Sequence, residues 1–279
     1  MSSPAYHKVE PGRFVRLRFG DLHTLCREDL LEPVTRAYQT DRWVYDALER
    51  DPDAVRMRGR RPVIAGKLDQ VPVVVKRMHH GGLLAPLRRD GFLTASRVRA
   101  HLFLAEYLTL RGVLTAPVAF ASWRRVRGFV RCEVGFERIE EGIDADCYFF
   151  RRPLVAGEWE ARAEDIGALV ARLHRAGFLH ADLNVMNFLF TPQNQTYILD
   201  LDKTAIPSGP LSNRQKERNL QRLERSIQKQ GRDHLAAFVE SIIARVRAGY
   251  RTAIVLLHAV IGHELLVSSQ WLSGGSPLL

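Results

Sequence analysis

The chain has 279 residues, of which 46% are hydrophobic and 26% charged, enough apolar content for a sizeable core and a balance that excludes disorder. Forty-one basic against 31 acidic residues give a formal charge of +10, which points to an anionic partner: nucleic acid, an acidic membrane surface or a phosphorylated substrate. Three scattered cysteines, Cys26, Cys132 and Cys147, exclude a disulfide framework and a cysteine-built zinc site, and read as reduced core residues.

The opening "MSSPAYHKVEPGRF" lacks the charged-then-apolar build of a signal peptide, so a cytoplasmic location is expected. There is no internal repeat, and the first 55 or so residues carry no clear pattern. From Val63 the β-branched text "VIAGKL", a turn at Asp69-Gln70 and "VPVVVKRM" predict a hairpin. "HHGGLLAPLRRDGF" reads as a loop. In residues 95–112, Val98, Leu102, Ala105 and Leu108 share one helical face, which Gly112 closes. Two strands follow, "APVAFASWRR" and "GFVRCEVGFERI", with a basic turn between them. Residues 161–177 form a helix with Ile166, Leu169, Val170 and Leu173 on one side. "FLHADLNVMNFLF", a turn at "TPQNQ" and the apolar strand "TYILDLDK" come next. The remainder reads as helical: "RQKERNLQRLERSIQKQ", "DHLAAFVESIIARVRAG" and an apolar run, "TAIVLLHAVIGHELLV", which His258, His263 and Glu264 interrupt.

A strand-rich first half and a helical second half predict a two-lobed α+β protein. The expected division is an extension at 1–55 packing on a small β-rich N-lobe at 56–140, then a helical C-lobe at 141–279.

His180-Ala181-Asp182-Leu183-Asn184-Val185-Met186-Asn187 has the H-x-D-L-x-x-x-N spacing of a protein-kinase-like catalytic loop. Phosphoryl transfer needs a carboxylate to position the attacking hydroxyl and take its proton, and oxygen ligands to hold Mg²⁺ against the phosphates. Asp182 is the expected base, Asn187 a neutral metal ligand, and His180 the brace of the loop. Asp200, thirteen positions on, is the expected main Mg²⁺ ligand. Leu201 and Asp202 follow where kinases carry Phe and Gly, and the role of Asp202 stays open. Upstream, Lys76 ends a strand and would pair the α- and β-phosphates of ATP, oriented by Glu106 on the following helix. The phosphate-covering loop is a weak match, with Gly59 and Gly66, and Arg60 or Arg61 assisting. Asn184 stands where many protein kinases carry lysine, which argues against an ordinary protein kinase. Singly, a strand-end lysine, a helix glutamate or a core histidine is ordinary. The order Lys, Glu, His-x-Asp, Asn, Asp is what carries the reading.

Arg218, Arg222, Arg225 and Lys229 recur as one basic stripe if their segment is helical, with Leu220, Leu223 and Ile227 on another face. Such a stripe is either a solvated face or a docking line for phosphate groups, which arginine forks match well.

These segments, with "VVVKRMHHGGLL", "FLAEYLTLRGV" and "RNLQRLERSIQK", resemble the lipopolysaccharide core kinases, over roughly residues 57–230. The resemblance implies a protein-kinase-like fold, with Asp182 as base, Asn187 and Asp200 on magnesium, and Lys76 and Glu106 as the phosphate-orienting pair. The adenine hinge would lie near Glu137 to Ile139. The acceptor it implies is the 4-hydroxyl of the Kdo (3-deoxy-D-manno-octulosonic acid) sugar of Kdo-lipid A, at the cytoplasmic face of the inner membrane. Asn184, Arg218, Arg222 and Arg225 are the candidate acceptor contacts. A heptose kinase, an atypical protein kinase, or a non-enzymatic kinase-like module on an anionic membrane or nucleic acid are the alternatives. Nucleic acid is disfavoured, because no RNP-like strand, zinc finger or helix-turn-helix text is present.

Overall fold

The structure is a computed structural model that describes residues 7–9, 14–57, 63–78, 95–126, 129–201, 204–205 and 210–273. The loop read at 79–92, the residues Gly59, Arg60 and Arg61, and Asp202 lie outside the described residues. The chain divides into two compact units, Met1–Tyr107 with Ala116–Glu140, and Leu108–Thr115 with Glu141–Leu279.

The first unit is built on strands β1 (His7–Val9), β2 (Phe14–Phe19), β3 (Leu22–Arg27), β4 (Val55–Met57), β5 (Val63–Leu68), β6 (Val71–Arg77), β7 (Val118–Val126) and β8 (Phe129–Glu137). They form one eight-stranded antiparallel sheet in the order β1-β2-β3-β7-β8-β6-β5-β4. The alternation of β6 sorts its side chains between two covered faces. Val73 and Val75 enter a core with Val34 of α1 (Leu31–Thr40) and Val44 and Leu48 of α2 (Val44–Arg50). The opposite face buries Cys132 and Val134 against Val98, Leu102 and Ala105 of α3 (Ser96–Leu110). Each fully buried aliphatic side chain of this kind contributes about 1.5–3 kcal/mol. Phe120 requires a glycine opposite it on β8, since a Cβ at Gly135 would sit 2.2 Å from its ring.

One buried carboxylate ties the N-terminal helices to the sheet. Glu133 of β8 accepts hydrogen bonds from the Val44 and Tyr45 amides at 3.0 and 3.1 Å and from the Tyr38 hydroxyl at 2.9 Å. Burial pushes its carboxyl up to about 7, against the pull of those three donors. Cys26 and Cys132 are free and buried, and burial raises the Cys132 thiol to about 12, so it is inert at neutral pH.

The second unit contains helices α4 (Ala145–Phe150), α5 (Glu158–Arg175), α6 (Asn213–Gln230) and α7 (Ala236–Ser273), and short strands β9 (Ile143–Asp144), β10 (Leu179–His180), β11 (Phe188–Phe190), β12 (Thr196–Ile198) and β13 (Thr204–Ala205). The apolar stripe of α5 is buried as its spacing predicts: Ile166, Leu169, Val170 and Leu173 are at most 1% exposed. Ser212 caps α6 in a reciprocal box with Gln215.

Two expectations change. The segment from residue 233 and the apolar run beyond it form one helix, Ala236–Ser273: no proline intervenes, and Gly249 stays helical, packed against Glu164 of α5, instead of ending the first segment. The strand read through "TYILDLDK" stops at Ile198, where antiparallel pairing with Phe188 ends. Leu199 instead donates its amide to the Asn187 carbonyl at 2.7 Å, and the chain turns at Asp200. None of the described helices is long and apolar enough to cross a membrane.

Candidate active site

The chemistry-bearing residues of the second unit lie on two neighbouring connections, the one from β10 to β11 and the one after β12. His180 is fully buried. Its Nε2 faces the Leu199 carbonyl at 3.0 Å, and its Nδ1 accepts the Asp182 amide at 3.3 Å. Those roles require the neutral tautomer with the proton on Nε2. One imidazole thus spans both connections, gripping the residue before Asp200 and the backbone of Asp182.

Asp182 is half-buried, and its carbonyl accepts two side-chain amides at 2.9 Å, from Asn184 Nδ2 and Asn187 Nδ2. Committing Nδ2 of Asn187 to that bond leaves its Oδ1 as the acceptor available to a cation. The Asn184 Oδ1 is buried without a hydrogen-bond partner, an arrangement that costs about 1–3 kcal/mol unless a ligand supplies the donor. Asp200 is exposed and adopts φ 58°, the left-handed region that aspartate tolerates better than most residues and that recurs at functional sites. Among the described residues no cluster of three or more His, Cys, Asp or Glu exists that would cage a metal. Two oxygen donors, Asn187 and Asp200, on connections tied by the Leu199–Asn187 bond suit Mg²⁺ instead, which takes few protein ligands and keeps waters and phosphate oxygens.

The loop is anchored from behind by residues that motif spacing alone does not single out. Asn219 of α6 donates to the His180 carbonyl at 2.8 Å, and its Oδ1 lies 3.0 Å from His174 Nε2. His174 Nδ1 lies 2.9 Å from the Tyr250 hydroxyl on α7. The proton order is Tyr250 to His174, His174 to Asn219, and Asn219 to the His180 carbonyl, a satisfied chain across three helices. Ser226 holds the Val185 amide at 3.1 Å. The signal for Asn219 was a polar residue beside Leu220 and Leu223 on an apolar face.

Burial pushes the His174 imidazole down from its usual value to about 4. Between pH 6.5 and 4 the unfolded chain therefore binds a proton that the folded one refuses, so stability rises with pH in that window and falls on acidification. His174 alone is expected to cost about 2 kcal/mol between pH 7 and pH 5. The check is thermal unfolding at both pH values for the wild type and His174→Gln. An acid sensitivity equal in the two proteins would contradict a neutral buried imidazole.

Arg218, Arg222, Arg225 and Lys229 all lie on the exposed side of α6. Arg222 reaches the Ala181 carbonyl, next to Asp182, which ties the stripe to the loop. The acidic residues of the helix are elsewhere: Glu217 and Glu224 are both held by Arg247 of α7.

The remaining candidates belong to the first unit. Lys76 pairs with Val134 across β6 and β8, on the sheet face that α3 covers, and its Nζ lies 5.2 Å from the centre of the Phe136 ring. Glu106 sits half-buried on α3, next to Ala105 of the same core. The Glu137 side chain is ion-paired to Arg27 and its amide donates to the Pro117 carbonyl at 2.8 Å, so only its carbonyl remains for a ligand. The next amide, of Arg138, donates to Pro72 at 2.9 Å, and Ile139 follows half-buried.

Proteins named 3-deoxy-D-manno-octulosonic acid kinase are 35% identical in Stenotrophomonas maltophilia (strain K279a), over 185 residues, 64% of this chain and 71% of that protein. The one of Xanthomonas campestris pv. campestris (strain B100) is 33% identical over 187 residues, and that of Xylella fastidiosa (strain M12) 31% over 184, with the same coverage of 64% and 71%. The model of the lipopolysaccharide kinase (Kdo/WaaP) family matches residues 48–250. The chain belongs to that family and is an ATP-dependent phosphotransferase.

Proposed function

We propose that this enzyme uses ATP to phosphorylate the 4-hydroxyl of the Kdo sugar of Kdo-lipid A, in a protein-kinase-like fold. The observation that carries the reading is the fixing of Asp182 by main-chain bonds to His180, Asn184 and Asn187. Such fixing holds the backbone of the loop, and the Asp182 carboxylate would position the acceptor hydroxyl and take its proton. Asn187 and Asp200 would hold Mg²⁺, which when bound neutralises the charge on the phosphates. Lys76, oriented by Glu106, would contact the α- and β-phosphates of ATP, and the Glu137 carbonyl and Ile139 amide the adenine.

Asn184 Oδ1 is suited to accept a hydrogen bond from the acceptor sugar. Arg218, Arg222 and Arg225, continued by Lys229, form a row of exposed cations beside the loop. Lipid A phosphates and the Kdo carboxylate are the anions that such a row would align. The charge of +10 supports work at the anionic cytoplasmic face of the inner membrane, each basic group near the surface contributing about 1 kcal/mol.

The test is acceptor-dependent ADP release with Mg-ATP. Release with Kdo-lipid A and loss of it with the 4-deoxy sugar would support the reading. Release only with heptosylated core would move the acceptor outward, and no release with any core acceptor would overturn it.

A further inference from the structure

A cavity of about 550 Å³ in the first unit is lined by Arg42, Arg77, Arg124, Arg125 and Arg131, beside Trp43, with Asp21 and Asp46 as its acidic residues. Met78, Arg125 and Cys132 line its edge from the sheet face of Lys76, but Arg77, Arg124 and Arg131 enter it from the opposite face. Successive residues of a strand point to opposite faces, so Arg77 leaves β6 on the side of Glu133, away from α3. On that side Arg124 stands directly opposite Arg131 across β7 and β8. Like charges in that register repel and lower the stability of the bare sheet.

The cavity is only partly neutralised from within. Asp46 pairs with Arg77, and Asp21 approaches Arg124 no closer than 4.0 Å. Among the described residues no ion pair is formed by Arg42, Arg125 or Arg131. Arg124 is nevertheless held in place: one Nη donates to the Arg42 carbonyl at 2.7 Å, and the guanidinium lies 5.0 Å from the centre of the Trp43 ring. Its Nε is buried without a partner. A fixed cation with an unused buried donor, facing a second arginine across an open cavity, is a site that lacks an anion.

We propose that this cavity binds a phosphate monoester, at a site separate from the nucleotide's. Five arginines against two aspartates leave a surplus that one carboxylate would not balance, whereas a phosphate monoester carries about −1.5 to −2 at neutral pH. Arginine forks match its oxygens in pairs. The ester is either a soluble phosphate compound or a lipid headgroup, and the inference does not rest on the identity of the acceptor sugar.

The full chain is titrated with inorganic phosphate, against sodium chloride of equal ionic strength, as wild type, Arg131→Gln and Lys76→Ala. Arg131 is exposed, so its replacement leaves the core intact and, without phosphate, unfolds at the same or a higher temperature than wild type. The expected result is saturable stabilisation of wild type and Lys76→Ala, with Arg131→Gln binding about tenfold more weakly. Equal responses of wild type and Arg131→Gln would overturn the proposal. So would loss of the response in Lys76→Ala, or a chloride effect of the same size. Flotation with phosphatidylcholine vesicles, with and without phosphatidic acid, separates the sources. Arg131-dependent binding to the phosphatidic acid vesicles assigns the lipid headgroup, and phosphate binding without it assigns a soluble ester. Arg131-dependent retention of a DNA oligonucleotide, with no response to inorganic phosphate, would also overturn the site.

Discussion

Asp182→Ala is expected to lower kcat about a thousandfold while ATP binding and folding stay intact. The fold-preserving half of this expectation comes from the way the loop is held. The main chain of residue 182 is fixed on both sides: its amide donates to His180, and its carbonyl accepts from Asn184 and Asn187. Truncating a half-buried side chain leaves those bonds in place, together with the Asn219 anchor on His180. The catalytic half comes from the loss of the carboxylate proposed to take the hydroxyl proton. Asp182→Asn keeps the shape and removes the charge, and it should fall nearly as far. Both variants are measured by ADP release, with nucleotide binding and thermal unfolding as controls. Turnover within a few-fold of wild type in either variant would remove Asp182 from the role of base.

Much of this arrangement was readable from short-range pattern. The hairpin around Asp69, the apolar face of α5 and the hairpin at residues 188–198 depend on local periodicity and turn chemistry, which the sequence states directly. The clustering of His180, Asp182 and Asn187 on one connection was readable because their spacing is short. The first 55 residues were not: three strands and two helices lie there, and their order in the sheet depends on pairing with β7, about 100 residues away. The left-handed turn at Asp200 was also hidden, because it results from β12 running out of partners rather than from any glycine or proline. The relay through His174, Asn219 and Tyr250 spans three helices, and no motif of one segment contains it.

That relay depends on how closely α5 and α7 approach, and the approach is set by two glycines. A Cβ at Gly167 would lie 2.0 Å from the Val246 carbonyl oxygen and 2.6 Å from the Tyr250 nitrogen. Reciprocally, a Cβ at Gly249 would lie 2.0 Å from the Glu164 carbonyl oxygen. Helix propensity by itself predicts that Gly167→Ala stabilises α5 by about 1 kcal/mol. The clash is with backbone rather than with a side chain that could rotate, and forcing an extra carbon into such a contact costs about 3 kcal/mol or more. Sterics therefore win, and the expected outcome is a net loss of about 2 kcal/mol or more in the free energy of unfolding. Gly249→Ala should behave alike. The double variant should lose less than the sum, since the first substitution already separates the helices that the second would push apart. Urea unfolding of the three variants reads this directly. Because the displaced Tyr250 also loosens its bond to His174, the single variants should additionally lose turnover at temperatures where they remain folded. An unchanged or raised unfolding midpoint in Gly167→Ala would mean that α5 and α7 do not meet backbone to backbone, and the support proposed for the catalytic loop would fail with it.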